Sequence, residues 1–271
     1  MTRRSLLILL PAAGLTQQPG AVLRVGARSR KHGLAIEQEQ FWKPAETAVI
    51  ICDMWNGHYC KNAARRVTEM APRMNAMLKA ARSVGIQIIH APSGCMDVYA
   101  GTPQRKRMIG TRPATPPVPI AKWCYLDLNS ESQLPIDDSK SPCDDDVVGP
   151  AVRQFDRQHP LLEIMEPDGI SDSGPEIYSF FEQQGIKNVV LMGVHTNMCV
   201  LGRPFGIRQM VRLGKNVVLA RDMTDAMYDP REAPWVSHWR GVDLVVEHIE
   251  QYWCPSILSK DLMTAHPGKS S

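Results

Sequence analysis

Apolar residues in this chain fall into short continuous runs separated by stretches of helical period. Residues 47–53 read Thr-Ala-Val-Ile-Ile-Cys-Asp, an apolar run ending in an acid, as in a strand buried on both faces of a parallel sheet. Over 62–84 the apolar positions Val67, Met70, Met74, Met77, Leu78 and Ala81 recur at helical spacing and stop at Gly85. A second apolar run at 86–91 completes a strand–helix–strand unit, which implies a right-handed parallel crossover. The alternation resumes with a predicted strand at 161–165, a helix over 174–184 ending on Gly185, and a strand at 188–192. A helix over 198–213 stopped by Gly214 and strands at 216–220 and 244–248 follow. Six strands interleaved with helices predict an α/β fold: a three-layer, Rossmann-like sandwich with a six-stranded parallel sheet flanked by helices.

No internal repeat or linker divides the pattern, so 44–255 reads as one domain, with 21–43 an N-terminal extension and 256–271 a C-terminal tail. Between the second and third runs, residues 92–159 are irregular and proline-rich, with an acidic cluster at Asp144–Asp146. So long a loop inside a domain reads as a cap over a site, or as a solvated excursion without a role. The first residues set Arg3 and Arg4 before an apolar run and then small residues. This is the pattern of an export signal over 1–20, Sec or twin-arginine in type. The expectation is an exported, periplasmic or secreted protein, with a cytoplasmic one as the alternative. That run is too short to span a bilayer and no later stretch qualifies, so no membrane span is expected in the mature chain.

Composition narrows the classes. The 271 residues carry 31 Lys and Arg against 28 Asp and Glu, and 44% are hydrophobic. Disorder, collagen and coiled coil are excluded. A near-neutral charge gives no footprint for a nucleic-acid partner. Seven cysteines are too sparse for a disulfide scaffold, and an odd number leaves at least one thiol unpaired.

In open α/β sheets ligands collect at the carboxyl ends of strands, near the point where strand order reverses. The residues just after each run therefore carry the candidate chemistry: Asp53, His90, Glu166, the segment Gly193-Val-His-Thr-Asn-Met-Cys199, and Arg221-Asp222. Cys199 falls where a strand becomes a helix, whose dipole and unpaired N–H groups favour a thiolate and could hold an oxyanion. The competing reading is a small buried hydrophobe. Asp53 ends a buried strand, where an acid is costly without purpose. It is a general-base candidate, or a helix N-cap. No Gly-x-Gly-x-x-Gly follows the first strand, so dinucleotide binding is not indicated.

Ala48-Val-Ile-Ile-Cys-Asp-Met-Trp-Asn56, taken with Gly193-Val-His-Thr-Asn-Met-Cys-Val200, resembles the isochorismatase-like cysteine hydrolases, a group that includes nicotinamidases and N-carbamoylsarcosine amidase. The resemblance spans about 44–255. It implies Cys199 as nucleophile, Asp53 as base, a cis peptide at Val194–His195, and an oxyanion hole from the backbone N–H groups of His195 and Cys199. It also implies a thioester acyl-enzyme, a small-molecule substrate of amide type, no cofactor, and a homo-oligomer, dimer or tetramer.

The family's third member is a lysine after strand 3, and counting back from Gly185 puts Glu166 at that position. Three readings stay open. Glu166 acts protonated as a hydrogen-bond donor or acid; a cation comes from elsewhere, Arg203 one helical turn after Cys199 or Lys122 in the insertion; or the triad is lost and the protein binds a small molecule without turnover. Metal is a weaker expectation. The segment after the second strand lacks the Asp-x-His of some nicotinamidases, and His58, His90 and His195 are scattered ligand candidates for a divalent ion.

Overall fold

The computed structural model describes residues 20–267. The export-signal expectation falls on residues outside that range. In chain order the elements are β1 (Ala21–Lys31), β2 (Leu34–Trp42), β3 (Thr47–Cys52), α1 (Lys61–Ser83), β4 (Gln87–Ala91), α2 (Met96–Tyr99), α3 (Pro103–Ile109), β5 (Gly169–Ile170), α4 (Gly174–Gln184), β6 (Asn188–Val194), α5 (Ile207–Arg212), β7 (Asn216–Asp225), α6 (His238–Tyr252), β8 (Ser256–Ile257) and β9 (Ala265–Pro267).

The sheet runs in the order β2-β1-β8-β7-β6-β3-β4-β5, with β9 beside β1. From β8 across to β5 every pairing is parallel, while β1 pairs antiparallel with β2, β8 and β9. The six parallel strands are thus extended by an antiparallel hairpin built from residues 21–42. Each central strand is apolar on both faces because each face meets a helical layer. In β3, Ala48, Ile50 and Cys52 face the layer containing α4, α5 and α6. Val49 and Ile51 face α1, whose Val67, Met70, Met74, Met77, Leu78 and Ala81 form its buried stripe.

Two predicted strands are corrected. Residues 161–165 form turns, held by Leu162 N–H on the His159 carbonyl (3.0 Å) and by Met165 N–H on the Asp168 carboxylate (2.7 Å). The strand there is only Gly169–Ile170, alongside Ile89 and His90 of β4. Residues 244–248 lie inside α6, where Val242, Val245, Val246 and Ile249 are buried at helical spacing and Ser237 caps the first turn. The helix expected over 198–213 is broken. A π-helical turn spans Thr196–Val200, and α5 starts only at Ile207, because Pro204 has no N–H to continue the ladder.

Candidate active site

Strand order reverses around β3: β4 and β5 lie on one side, and β6, β7 and β8 on the other. The carboxyl ends of β3 and β6 are therefore the two sides of the switch-point crevice. Their approach is tight. At Gly193 (φ 104) an added Cβ would lie 2.1 Å from the Cys52 carbonyl oxygen, so only glycine lets the strand ends close. The Val194–His195 peptide that follows is cis.

Asp53 stands at the end of β3 with φ 50, a conformation uncommon for a residue bearing a side chain. Its backbone N–H reaches the Ala91 carbonyl (3.1 Å). Its carboxylate, fully buried, accepts from the Ser93 backbone N–H (2.8 Å) and from Arg203 Nε (2.9 Å). The Cys199 sulfur lies near the same carboxylate and the His195 backbone N–H, close enough for both to act on its titration. Cys199 lies in the π-helical turn, and it alone of the seven cysteines is not fully buried; none of the seven is in a disulfide.

Burial raises the Asp53 pKa above the ordinary carboxylate value; Arg203 opposes this, followed by Ser93 and the Cys199 thiol. Burial, together with the negative charge of Asp53, also pushes the Cys199 thiol well up, against the pull of Arg203 and the His195 N–H. Burial beside an acid thus works against the thiolate that the turn after β6 favours, and against the Asp53 carboxylate as well.

Arg203 is the cation of this site. It lies one helical turn past Cys199, its N–H bonding the Cys199 carbonyl (3.0 Å). Its guanidinium lies over the Trp123 ring (5.5 Å to the centroid). Trp123 belongs to the insertion and packs directly on Gly202, while Cys124 N–H bonds the Gly202 carbonyl (2.7 Å).

Glu166 is not in this site. It lies at the amino end of β4, next to Pro167, whose carbonyl accepts from Gln87 (2.9 Å), whereas Asp53 meets the opposite end at Ala91. The length of β4, about 13 Å at ~3.3 Å per residue, separates the two acids. The Glu166 side chain is 79% exposed and paired with Arg107 (2.6 Å). Counting misplaced it because the third parallel strand begins after residue 166. The residues that do leave β5 at the chemical edge are Ser171, bonded to Glu176 (2.5 Å), and Asp172, which accepts from Gly94 N–H (2.8 Å). Lys122 is exposed, and its neighbour Trp123 is the residue that turns inward.

His58 and His195 meet edge to face, 5.1 Å between centroids. His195 is held neutral, its pKa lowered to about 3 by burial and by His58. His90 stays apart, fixed inside the sheet by Gln158 (2.8 Å) and Asp168 (3.0 Å). The three histidines therefore do not form the ion site considered for them. The wall of the crevice comes largely from the insertion. Phe155 stacks on Trp55 (4.1 Å, 13°), Arg153 lies over Phe155 (4.8 Å), and Cys199 packs against the cluster of Trp55, Cys95, Tyr99 and Ile170. Sequence reasoning missed Ser93, Trp123 and Phe155, because their roles depend on the path of a loop with no period to read.

No family model and no curated protein sequence matches this chain. Solved structures do. A cysteine hydrolase from Pseudomonas syringae pv. phaseolicola 1448A is similar at 17% identity, with a TM-score of 0.50 over 82% of this chain and 93% of that one. An isochorismatase from Pseudomonas putida KT2440 is similar at 12% identity, with a TM-score of 0.46 over 80% and 90%. An isochorismatase family protein from Burkholderia thailandensis is similar at 13%, with a TM-score of 0.45 over 81% and 96%. At these identities the likeness establishes the fold: a mostly parallel α/β sheet flanked by helices. Among the described residues no helix is long and apolar enough to cross a membrane.

Proposed function

We propose that the chain is a cysteine hydrolase of a small, non-peptide amide-type substrate, working through a thioester acyl-enzyme. The observation that carries the reading is Cys199, Asp53 and Arg203 gathered at the switch point, with the guanidinium bonded to the buried carboxylate and the thiol close beside it. Asp53 takes the thiol proton as Cys199 Sγ attacks the substrate carbonyl carbon. The backbone N–H groups of His195 and Cys199 stabilise the resulting oxyanion. Protonated Asp53 then gives its proton to the departing nitrogen, the C–N bond breaks, and the acyl group remains on sulfur. Water, losing a proton to Asp53, attacks the thioester; the acid leaves and the thiol is restored. Arg203 supplies the positive charge that favours the ionised Asp53 before each nucleophilic attack.

The alternative, a binding protein with a lost triad, drew on a second acid beside Asp53. Glu166 lies elsewhere; what favours that reading is the Cys199 thiol, which burial pushes up rather than down. The mechanism needs no cofactor. Export and assembly into a dimer or tetramer belong to the same proposal, checked by cell fractionation and light scattering. The reaction is tested with a panel of small amides, following ammonia or amine release and the mass of the intact protein. Expected are turnover with wild type and an acyl adduct on Cys199; turnover that survives Cys199→Ala overturns the cysteine mechanism.

A further inference from the structure

Outside the Asp53 site, three ligating side chains converge from two distant parts of the chain. Cys60 immediately precedes α1, while Cys143 and Asp145 belong to the insertion. All three are buried, and the two Sγ atoms and one carboxylate oxygen lie within 4.8 Å of one another. We propose that Cys60, Cys143 and Asp145 form a binding site for a soft divalent cation, zinc by its donor set, that clasps the insertion to the head of α1.

The donors select the ion. Two sulfurs and one carboxylate oxygen suit Zn²⁺ and are foreign to Mg²⁺ or Ca²⁺, which take oxygen alone. The carboxylate is already oriented, with Asp145 accepting from the backbone N–H groups of Lys61 (2.8 Å) and Asn62 (2.8 Å). Such hydrogen bonds behind a ligand fix its geometry before the ion arrives. The sulfur of Cys60 lies 3.4 Å from an oxygen of Asp144 and 3.5 Å from one of Asp145. Among the three ligands Asp144 meets only Cys60, and it is held through both oxygens by Arg66, which leaves water as the occupant of a fourth position. Ala63, Met227, Tyr59 and Met198 enclose the group.

Charge is only partly offset locally, because Arg66 already serves two carboxylates. Each thiol loses its proton to solvent as its sulfur binds, so two thiolates, one carboxylate and Zn²⁺ sum to −1. Arg66 stands beside them, its guanidinium paired with Asp144 (2.7 Å) and with Asp225 (2.8 Å). The clasp joins segments otherwise linked by hydrogen bonds, the Arg66–Asp144 pair and a small apolar cluster. Through Met198 it also abuts the turn that carries Cys199.

The experiment uses the full chain, purified under reductant, stripped with a chelator, and titrated with Zn²⁺ or Co²⁺. The expected result is uptake of about one ion per chain, with sulfur-to-cobalt charge-transfer bands in the near ultraviolet. Zn²⁺ is expected to protect Cys60 and Cys143, as mapped by peptide mass spectrometry, from alkylation that proceeds without it. Cys143→Ser is expected to weaken uptake by about tenfold or more and to remove part of the charge-transfer intensity. Protection of the wild type is read without any variant, so misfolding of Cys143→Ser does not blunt the test. No uptake by the reduced wild type, unchanged alkylation, or a Cys60–Cys143 disulfide in a second preparation isolated without reductant overturns the proposal. None of these readouts involves hydrolysis, so the site stands or falls separately from the proposed activity.

Discussion

Asp53 is held by three partners at once, and the order of their strengths sets what each substitution does. Removing the nucleophile (Cys199→Ala) is expected to lower kcat/KM by at least about 10⁴-fold, measured on whichever amide turns over, because residual catalysis then rests on binding and the oxyanion site. Arg203→Met acts differently. Burial already lifts the Asp53 pKa above 3.8, and Arg203 is the largest force holding it down. Asp53 must be ionised to accept the thiol proton, so activity falls as pH drops through this raised value. Without Arg203 the value climbs further, so the acid limb of kcat/KM moves to higher pH and the plateau drops about 10²-fold. Arg203→Lys, which keeps the charge, is expected to restore most of the limb position. A limb unmoved in Arg203→Met would remove Arg203 from the chemistry. Asp53 and Cys199 could be named as candidates from the sequence because one directly follows an apolar run and the other lies in the turn that follows another. For the third member Arg203 was only one of the alternatives. Counting back from Gly185 put Glu166 first, at the end of a strand expected over 161–165, whereas β5 is two residues long and lies further on.

Among the elements, the insertion is the one whose behaviour the sequence pattern did not disclose. Periodicity predicts elements that pack through repeated apolar positions, whereas much of 92–159 is fixed by isolated contacts, apolar at Met108, Ile136 and Phe155 and polar elsewhere. Glu131 is the clearest case: its buried carboxylate accepts from Arg208 on α5 (2.6 Å) and from His248 on α6 (2.8 Å). Despite burial, those hydrogen bonds, His248 first and then Arg208, hold its pKa down at about 2, against 4.5 for a free glutamate. A depressed folded-state pKa stabilises the fold fully above the unfolded value, and the contribution is lost as pH falls through the folded one. The window is therefore pH 4.5 down to 2. At ~1.4 kcal/mol per unit, the contribution is about 3 kcal/mol. Glu131→Gln is expected to lower unfolding free energy at neutral pH by at least that amount, since Arg208 is left buried without its counter-charge. It is also expected to flatten the acid dependence between pH 4.5 and 2 in denaturant titrations. An unchanged slope would mean that Glu131 is already protonated in the folded protein. The same logic explains the misread helix over 198–213, where Pro204 and the Trp123 contact at Gly202 outweigh apolar spacing.

At the scale of the molecule, the sheet does not end where the alternation of strands and helices ends. Residues 21–42 and 256–267, outside the 44–255 core read from the sequence, supply β1, β2, β8 and β9 to the same sheet. In β1 every second residue is buried, Leu23, Val25 and Ala27, and Trp42 closes β2 into the same apolar layer as α1. The hairpin is also tied down electrostatically, with Arg28 (2.8 Å) and Arg30 (3.0 Å) both on the fully buried carboxylate of Glu250 in α6. A chain beginning at Pro44 would lose the burial of Leu23, Val25 and Trp42, about 1.5–3 kcal/mol each. It would also leave Glu250 as a buried charge without its cations, several kcal/mol more. Those losses approach the whole stability of an ordinary domain, about 5–15 kcal/mol. The truncated chain is therefore expected to lack a cooperative thermal transition by circular dichroism. The milder Val25→Ala is expected to fold with a lower midpoint, by about 1–3 kcal/mol of unfolding free energy. A truncated chain that melts cooperatively at the full-length temperature would make the hairpin an accessory, and the parallel strands a sufficient domain on their own.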